Sequence, residues 1–143
     1  MIPIELEIMN SQPEFNLLSV GKEQLTEKEI LEEYEEELEK ERYLIEENGK
    51  FIGILEFIMR NPKDEKPWLG LLIIHKAWTK QSYAQQAFDA YIEIMKERKV
   101  KEVRLGCLEG NETGQRFWER NGFIRVKNTL YNNRPLWILE KKL

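Results

Sequence analysis

The sequence predicts a mixed α/β (α+β) layered domain, and three observations support this fold class. The chain has 143 residues, the length of one domain, so we expect residues 1–143 to form a single unit. Hydrophobic residues make up 41% and charged residues 34%, a balance typical of a globular chain with its own core. Strand-like and helix-like patterns follow one another in the order β-α-β-β-β-α-β-α-β-β. Such interleaving predicts one mixed central sheet of about six to seven strands flanked by helices.

The first segment has a period of two. Residues 4–9 alternate apolar and acidic side chains, which predicts an outer strand. Residues 10–21 show no regular period, and they contain Pro13 and Gly21, two residues that interrupt regular structure. We therefore expect an irregular connection after the strand.

A capping box marks the first predicted helix. Thr26 and Glu29 have the spacing at which each side chain satisfies a backbone N–H of the other residue. Behind them, apolar side chains recur at helical spacing through residue 41. These side chains are Ile30, Leu31, Tyr34 and Leu38.

Two β-rich runs follow, residues 42–46 and 50–60, joined by Glu47, Asn48 and Gly49. An Asn-Gly pair between two such runs is a strong signal for a β-hairpin. The sequence therefore predicts two adjacent antiparallel strands after the helix.

The next part of the chain alternates strands with helices. Residues 68–74 are apolar on both faces, which predicts a central strand. We expect a helix over residues 79–98, a strand over 103–108, and a short helix over 111–120 that ends before Gly122.

A second hairpin completes the predicted sheet. Its strands are residues 123–126 and 136–140, and Asn132 and Asn133 form the turn between them. The outer strand has an edge that a second copy of the chain could pair with, so a homodimer is one of the two oligomeric states that the sequence allows.

Composition excludes several classes of function. A net charge of −4 argues against general nucleic-acid binding, which depends on neutralising phosphates. Cys107 and His75 are the only cysteine and histidine, so we expect no disulfide framework and no metal site. The longest apolar run, residues 69–74, is far below the ~20 residues of a membrane span. With no signal-peptide pattern at the start, we expect a cytoplasmic protein without a membrane partner.

Charge is divided unevenly along the chain. Residues 1–50 contain 15 acidic and 5 basic side chains, and residues 51–143 contain 11 acidic and 17 basic ones. The acidic run between Glu27 and Glu47 has two explanations: a solvated helix face, or a wall that attracts a cationic substrate. Under the second explanation, the basic remainder attracts an anionic cofactor.

Two motifs stand out in the C-terminal half. The first is the apolar strand followed by a helix start at which Thr79, Ser82 and Ala84 have the spacing of Gln/Arg-x-x-Gly-x-Gly/Ala. The second follows the strand at 103–108 and reads Asn111-x-x-Gly114-x-x-Phe117-Trp118-x-x-x-Gly122-Phe123. Together with the order of strands and helices, these motifs resemble the GNAT superfamily of acyl-CoA-dependent N-acyltransferases over nearly all of the chain.

The first motif has a physical basis of its own. A helix N-terminus has unpaired backbone N–H groups and the positive end of the helix dipole, which together bind a diphosphate. Lys76 and Lys80 could add positive charge, whereas the plain alternative is an amphipathic helix with a threonine cap.

The resemblance implies that the cofactor is acetyl-CoA. It also implies that Asn111, Phe117 and Trp118 lie along the pantetheine arm, although core packing explains Phe117 equally simply. The complete set of cofactor-binding residues that we expect is Ile74, Lys76, Thr79, Lys80, Gln81, Ser82, Tyr83, Ala84, Asn111, Phe117 and Trp118.

Trp118 departs from the family, which commonly has a tyrosine that protonates the departing thiolate. An indole N–H only donates a hydrogen bond. Three explanations stay open. The thiolate leaves without an acid, another hydroxyl such as that of Tyr131 or Tyr83 serves, or the protein binds acyl-CoA without turning it over.

Amine attack needs a base, and Glu56 is the first candidate. It interrupts the apolar run at residues 51–58, and apolar surroundings raise the pKa of a carboxyl. The alternative is a carboxylate on the exposed face of the sheet, paired with a lysine or arginine. His75, just past the central strand, is the second candidate, and a water chain ending at either group would also serve.

The resemblance therefore implies an N-acetyltransferase that moves an acetyl group from acetyl-CoA to a primary amine of a small molecule or peptide. The amine would attack directly between the strands at 68–74 and 103–108, with Glu56, His75 and Tyr131 as candidate catalytic residues. The alternatives are a CoA-binding sensor or interaction module without turnover, and a structural domain without a ligand.

Overall fold

The computed structural model describes residues 1–35 and 39–143. It begins with three helices, α1 (Ile2–Asn10), α2 (Pro13–Val20) and α3 (Glu27–Tyr34). The later helices are α4 (Tyr83–Glu97) and α5 (Glu112–Arg120). The strands are β1 (Lys40–Glu47), β2 (Lys50–Ile58), β3 (Trp68–Ile74), β4 (Glu102–Leu108), β5 (Ile124–Tyr131) and β6 (Arg134–Lys142).

The described strands form one mixed sheet in the order β1-β2-β3-β4-β6-β5. Neighbouring strands are antiparallel except β3 and β4, which run parallel. Six strands flanked by helices on both faces confirm the predicted layered α/β class.

Both predicted hairpins are present. In the first, Asn48 and Gly49 have φ angles of 50° and 80°, the left-handed geometry that joins strands most compactly. In the second, Asn132 and Asn133 have φ angles of 50° and 63°. The strands of the second hairpin, β5 and β6, are longer than predicted.

The predicted strand at residues 4–9 is wrong, because this segment lies in helix α1. The alternation was misleading because Glu5 is buried, with only 1% of its surface exposed. Its carboxylate pairs with Arg42 of β1 at 2.6 Å, so the acidic position faces the protein interior. An ion pair with a residue so far along the chain leaves no local signal in the sequence.

The expected irregular segment at residues 10–21 is also wrong, because most of it is helix α2. Pro13 is the first helical residue, where its missing N–H costs nothing. Gly21 ends the helix in the left-handed conformation with φ 81°. Both residues therefore delimit a helix and do not interrupt regular structure.

The capping box of Thr26 and Glu29 is present at the start of α3. The helix ends at Tyr34, and Lys40 already belongs to β1, so its predicted extension through residue 41 is wrong at residues 40–41. Leu38, the last residue of the predicted apolar stripe, lies outside the described residues.

Two hydrophobic clusters cover the two faces of the sheet. One lies beneath α4 and α5 and includes Phe57, Leu105 and Tyr91, all nearly or fully buried. The other lies beneath α1 and α3 and includes Ile54 and Ile73. The sheet is therefore enclosed in its middle, where the parallel strands β3 and β4 meet.

Candidate functional site

Strands β3 and β4 separate shortly after they meet. Their register contains only the pairs Trp68–Arg104 and Leu69–Leu105, although each strand continues for several residues. Beyond these pairs the strands diverge and leave a V-shaped gap in the centre of the sheet. Unpaired strand edges along the gap have backbone groups free to bind a ligand.

Alternate residues of β3 direct their backbone N–H and C=O groups into this gap. The N–H of His75 donates to the carbonyl of Ile52 on β2, so the backbone groups of His75 point towards β2. Along an antiparallel strand the backbone groups of successive residues point to alternate sides. Those of Ile74 and Leu72 therefore point towards β4. The side chain of Gln12 donates to the carbonyl of Ile74 at 2.9 Å. The N–H of Ile74 and both backbone groups of Leu72 therefore line the gap.

Helix α4 begins beside the open end of the gap. It starts at Tyr83, so the predicted start at Thr79 is wrong: a 3-10 turn (Lys76–Trp78) comes first, and the chain then turns at Ser82. Ser82 adopts the left-handed conformation with φ 66°. This conformation favours glycine, which is why the motif has glycine at this position.

The first turn of α4 presents free donors. In the described part of the chain, no acceptor bonds the backbone N–H of Tyr83, Ala84 or Gln85. No side chain caps this helix start, since the Ser82 hydroxyl accepts from the Gln86 side chain instead. The N-terminus of α4 thus has unpaired N–H donors at the positive end of the helix dipole, an arrangement that suits an anion.

The other residues of the loop position the turn. The Thr79 hydroxyl donates to the carbonyl of Lys76 at 2.8 Å, and the Gln81 side chain donates to the carbonyl of Ala77 at 3.5 Å. The ammonium of Lys76 lies 3.7 Å from the exposed carboxylate of Glu14. Lys80 is exposed at the helix entrance, where its charge adds to the positive end of α4.

Most residues of the second motif lie on helix α5, which packs against α4. Asn111 caps this helix by accepting from the N–H of Gly114 at 3.0 Å. The Trp118 ring lies 5.6 Å from those of both Phe88 and Phe123, and 4.8 Å from that of Phe117. Phe117 and Trp118 are therefore packed into an aromatic cluster between α4 and α5.

Glu56 lies where β3 leaves β4. Its Oε1 accepts from Nη1 of Arg42 at 2.8 Å, and its side chain is only 14% exposed. Its Oε2 lies 3.5 Å from the point at which a Cβ on Gly70 would stand. One carboxylate oxygen is therefore fixed by Arg42, while the other faces the start of the gap.

A compact ionic cluster holds Arg42. Glu5 accepts from Nε of Arg42 at 2.6 Å, and Glu33 lies 3.2 Å away. Burial disfavours the guanidinium charge, but hydrogen bonds from Arg42 to Glu56 and Glu5 outweigh it and raise the pKa of Arg42. Burial and the hydrogen bond to Glu5 raise the pKa of Tyr34 to about 12. Both groups therefore keep their protons at neutral pH.

His75 lies at the opposite end of β3 from Glu56. Its Nδ1 accepts from the N–H of Ala77 at 3.1 Å and so caps the 3-10 turn. Five residues of extended strand separate it from Gly70, about 16 Å. Glu56 and His75 therefore cannot both adjoin one reacting atom.

The two candidate hydroxyls lie in different places. Tyr131 is 47% exposed at the tip of the β5–β6 hairpin. Tyr83 contacts Trp78 with 5.8 Å between ring centroids, in the loop beside the start of α4. The side chain of Tyr83 therefore contacts the loop that precedes α4, whereas Tyr131 lies at the tip of the hairpin.

Cys107 is only 2% exposed on β4, beneath α4 and α5. Burial raises the pKa of its thiol to about 11. A neutral, enclosed thiol is not a nucleophile, so Cys107 is an inert residue of the core.

Two glycines mark a feature that the sequence analysis missed. Gly70 and Gly106 are both exposed, and they follow the last paired residues of β3 and β4. Because side chains alternate along a strand, both positions lie on the face opposite Leu69 and Leu105. Gly70 leaves room for the carboxylate of Glu56, whereas the side chain of Leu136 covers Gly106, with 2.9 Å from its Cδ2 to a Cβ placed on the glycine. Only the register of β3 and β4, which a single sequence does not give, could have identified them.

The parallel strands that diverge, the free helix start beyond them and the motif on α5 define an acyl-CoA-dependent transferase. The chain belongs to the acetyltransferase (GNAT) family, whose model matches residues 6–123. No curated protein matches the sequence significantly.

Solved structures share the fold. An acetyltransferase from Thermus thermophilus has a TM-score of 0.82 at 19% identity, covering 99% of this chain and 90% of that chain. The PaiA N-acetyltransferase from Thermoplasma acidophilum, in complex with coenzyme A, has a TM-score of 0.77 at 18% identity, with coverages of 99% and 92%. The ribosomal-protein-S18-alanine N-acetyltransferase from Escherichia coli has a TM-score of 0.72 at 13% identity, with coverages of 99% and 86%.

Membrane-spanning helices and metal clusters are both absent from the described residues. Over residues 1–35 and 39–143, no helix has the length and apolar character needed to cross a membrane. In the same ranges, no three His, Cys, Asp or Glu side chains are grouped so as to hold a metal ion.

Proposed function

We propose that residues 1–143 act as one acetyl-CoA-dependent N-acetyltransferase domain whose acceptor is a primary amine of a small molecule or peptide. The observation that carries this proposal is the gap between β3 and β4, which ends at the unpaired N–H groups of α4. A gap with strand edges suits an amide-containing arm, and a bare helix start suits a diphosphate, so the residues present fit CoA. A related fold, the Thermoplasma protein, was solved with coenzyme A, which supports the same ligand.

Each part of the site would hold one part of the cofactor. The N–H groups of Tyr83, Ala84 and Gln85 would bind the diphosphate, with Lys76 and Lys80 adding positive charge. Backbone groups of Leu72 and Ile74 would bind the pantetheine arm along the edge of β3. Asn111, through its position at the start of α5, would adjoin the arm from the other side.

The chemistry that the cofactor supplies is acetyl transfer: the amine nitrogen bonds to the thioester carbonyl carbon, the C–S bond breaks, and CoA leaves with a proton as the thiol. Because the diphosphate and the sulfur lie at opposite ends of the pantetheine arm, the acetyl group would lie deep in the gap, towards Gly70. We therefore propose Oε2 of Glu56 as the acceptor of the amine proton. His75, at the diphosphate end, would position the loop through its bond to Ala77.

Turnover tests this function directly. Purified protein, acetyl-CoA and a panel of primary amines should release free CoA thiol in an amine-dependent way, with a shift in melting temperature on adding CoA alone. The proposal is contradicted if no amine increases the release of thiol and CoA leaves the melting temperature unchanged.

One observation favours a second function, a CoA-binding sensor without turnover. Trp118 is packed among Phe88, Phe117 and Phe123, so the position that commonly has a tyrosine contributes no acid. Comparing W118Y with W118F separates the two functions. Thiolates need little assistance in leaving, so an enzyme should gain less than about tenfold in kcat from the tyrosine. A sensor would bind CoA in all three forms and release no thiol with any amine.

A further inference from the structure

The turn between helices α1 and α2, formed by Ser11 and Gln12, bonds the end of β3 and the residues after it. Nε2 of Gln12 donates to the carbonyl of Ile74 at 2.9 Å, and this carbonyl points into the gap. Oγ of Ser11 accepts from the N–H of Lys76 at 3.0 Å. Gln12 thus replaces one of the partners that β3 loses where β4 diverges.

Gln12 makes this contact although it is the N-cap residue of α2. An N-cap side chain commonly accepts from the first N–H groups of its own helix. Among the described residues, the Gln12 side chain forms no such bond, and it reaches instead a residue 62 positions further along the chain. The side chain therefore joins α2 to the edge of the gap and does not cap the helix.

Helix α2 holds Gln12 in place between the two diverging strands. Further along the helix, Leu18 lies against Gly110, just beyond β4, with 2.8 Å from its Cδ2 to a Cβ placed on the glycine. Leu17 and Leu18 also line a mainly apolar pocket of about 380 Å³, together with Leu108 and Arg134 at the adjoining ends of β4 and β6. One end of α2 thus bonds β3 and the other packs against the end of β4, which fixes Gln12 relative to both edges of the gap.

The carboxamide of Gln12 has one bonded atom and one free atom. Its Nε2 donates to Ile74, whereas its Oε1 accepts from no group in residues 1–35 and 39–143. Both atoms are attached to the same planar carbon, so the bond of Nε2 also fixes the position of Oε1 at the edge of the gap. Gln12 is only half-buried, so a ligand in the gap can reach this oxygen.

The edge of β3 supplies one hydrogen-bond acceptor fewer than a strand normally does. Leu72 directs both its N–H and its C=O into the gap, whereas the C=O of Ile74 already accepts from Gln12. The pantetheine arm of CoA contains two amides, which need two donors and two acceptors to pair with a strand edge. Oε1 of Gln12 is an acceptor next to the occupied carbonyl, where the second one is needed.

We propose that Gln12 binds the pantetheine arm: its Oε1 accepts from the amide N–H nearer the diphosphate, while its Nε2 stays bonded to Ile74. This assignment rests on the proposed acetyltransferase function. The N–H of Ile74 binds the carbonyl of the same amide, and the backbone of Leu72 binds the other amide. Gln12 lies outside both sequence motifs, in the N-terminal part of the chain, and adds a cofactor-binding residue that neither motif contains.

Two ligands separate contacts to the arm from contacts to the nucleotide. CoA contains the arm, whereas adenosine 3′-phosphate 5′-diphosphate is the part of CoA without it. Gln12→Leu removes the acceptor and should raise the Kd for CoA by about 5- to 20-fold, because the amide N–H of the arm then has no partner. The Kd for the nucleotide should stay within about twofold of the native value.

Two further variants distinguish an acceptor from a structural clamp. Gln12→Lys keeps a donor for the carbonyl of Ile74 but has no acceptor, so it should also raise the Kd for CoA relative to that for the nucleotide. Using this ratio cancels the attraction of the added charge for phosphates. Gln24 is the matched control, since its Nε2 also donates to a backbone carbonyl, that of Asn10, at 3.3 Å. It lies just before α3, outside the gap, so Gln24→Leu should change neither Kd.

Calorimetric titration of the native protein and the three variants decides the assignment, with far-UV circular dichroism to establish that each variant is folded. A selective loss of CoA affinity in both Gln12 variants supports it, with or without turnover of acetyl-CoA. The assignment is overturned if Gln12→Leu binds CoA as tightly as the native protein or more tightly, if Gln12→Lys keeps the native ratio, or if both ligands weaken equally. Native binding of CoA with unchanged variants rejects the role of Gln12 alone, whereas a native protein that binds neither ligand also rejects the proposed function.

Discussion

Nη1 of Arg42 donates to Oε1 of Glu56 at 2.8 Å, and this contact fixes the orientation of the carboxylate. The same guanidinium is held by Glu5 of α1, so a helix on one face of the sheet orients a side chain at its centre. Because Arg42 engages one oxygen of Glu56, the other remains available towards Gly70. An ion pair and a proton acceptor, which the sequence posed as alternatives, can therefore coexist in one residue.

Glu56→Gln tests the role of this oxygen. The amide keeps a hydrogen-bond acceptor for Arg42 but cannot take a proton, so kcat should fall by about 10²- to 10⁴-fold. The Kd for CoA should stay the same, since Glu56 lies far from the start of α4. Steady-state kinetics and calorimetric titration measure the two quantities.

Glu140→Gln is the matched control for this substitution. Glu140 is 12% exposed and accepts from Nε of Arg104 at 2.9 Å, so it is similar in burial and partner. Its amide variant should retain the native kcat. Equal losses in both variants, or none in E56Q, would make Glu56 a structural ion-pair residue.

Arg42→Gln should destabilise the protein strongly. It leaves Glu5, which is 1% exposed, without its ion-pair partner, and such a change costs about 3–5 kcal/mol. Urea unfolding followed by circular dichroism measures the free energy of unfolding. Arg60→Gln removes an ion pair with Glu65 in which both side chains are about two-thirds exposed, so it should cost less than about 1 kcal/mol. A similar small loss for both variants would contradict a tightly held cluster.

Ser82→Gly should stabilise the protein and preserve CoA binding. Ser82 has φ 66°, a conformation that costs a residue with a Cβ about 1 kcal/mol, and glycine removes that cost. Lys99, at the other end of α4, has φ 62° and lies away from the gap. Lys99→Gly should raise stability similarly without any effect on the Kd for CoA. Stability is measured as the melting temperature, and a decrease for S82G would show that the side chain is required there.

Stability should fall at alkaline pH because of Cys107. Burial raises the pKa of this thiol to about 11, whereas an unfolded thiol ionises near about 8.5. Between these values the unfolded state loses its proton first, so the free energy of unfolding decreases as pH rises from about 8.5 towards 11. Cys107→Ala should show a shallower decrease across this alkaline range in urea unfolding. Parallel slopes in the two proteins would contradict a buried neutral thiol.

Local patterns predicted most of the fold. The Asn-Gly hairpin, the capping box and the apolar β3 each depend on neighbours in sequence, and each is present. Helix α1 was missed because the burial of Glu5 depends on Arg42, 37 residues away. The start of α4 was placed too early because a 3-10 turn and the left-handed Ser82 intervene.

The features of the site also separate into those that depend on neighbours in sequence and those that depend on distant segments. The residues of the loop before α4 form one continuous segment, so a motif was enough to locate them. Gly70 and Gly106 become neighbours only through the register of two parallel strands. Arg134 and Leu17 line the same pocket only because the path of α2 brings them together. Features that depend on how distant segments come together leave no period or spacing in a single sequence.

Calorimetric titration with CoA tests the central claim most directly, namely that the start of α4 binds a diphosphate. The native protein should bind with one site per chain, and Ser82→Glu should abolish binding because its carboxylate would repel the phosphates. Gln86→Glu, one turn into the same helix, adds the same charge further from the first N–H groups and should weaken binding less. No heat of binding at millimolar CoA, or equal affinity in the native protein and S82E, would contradict the claim.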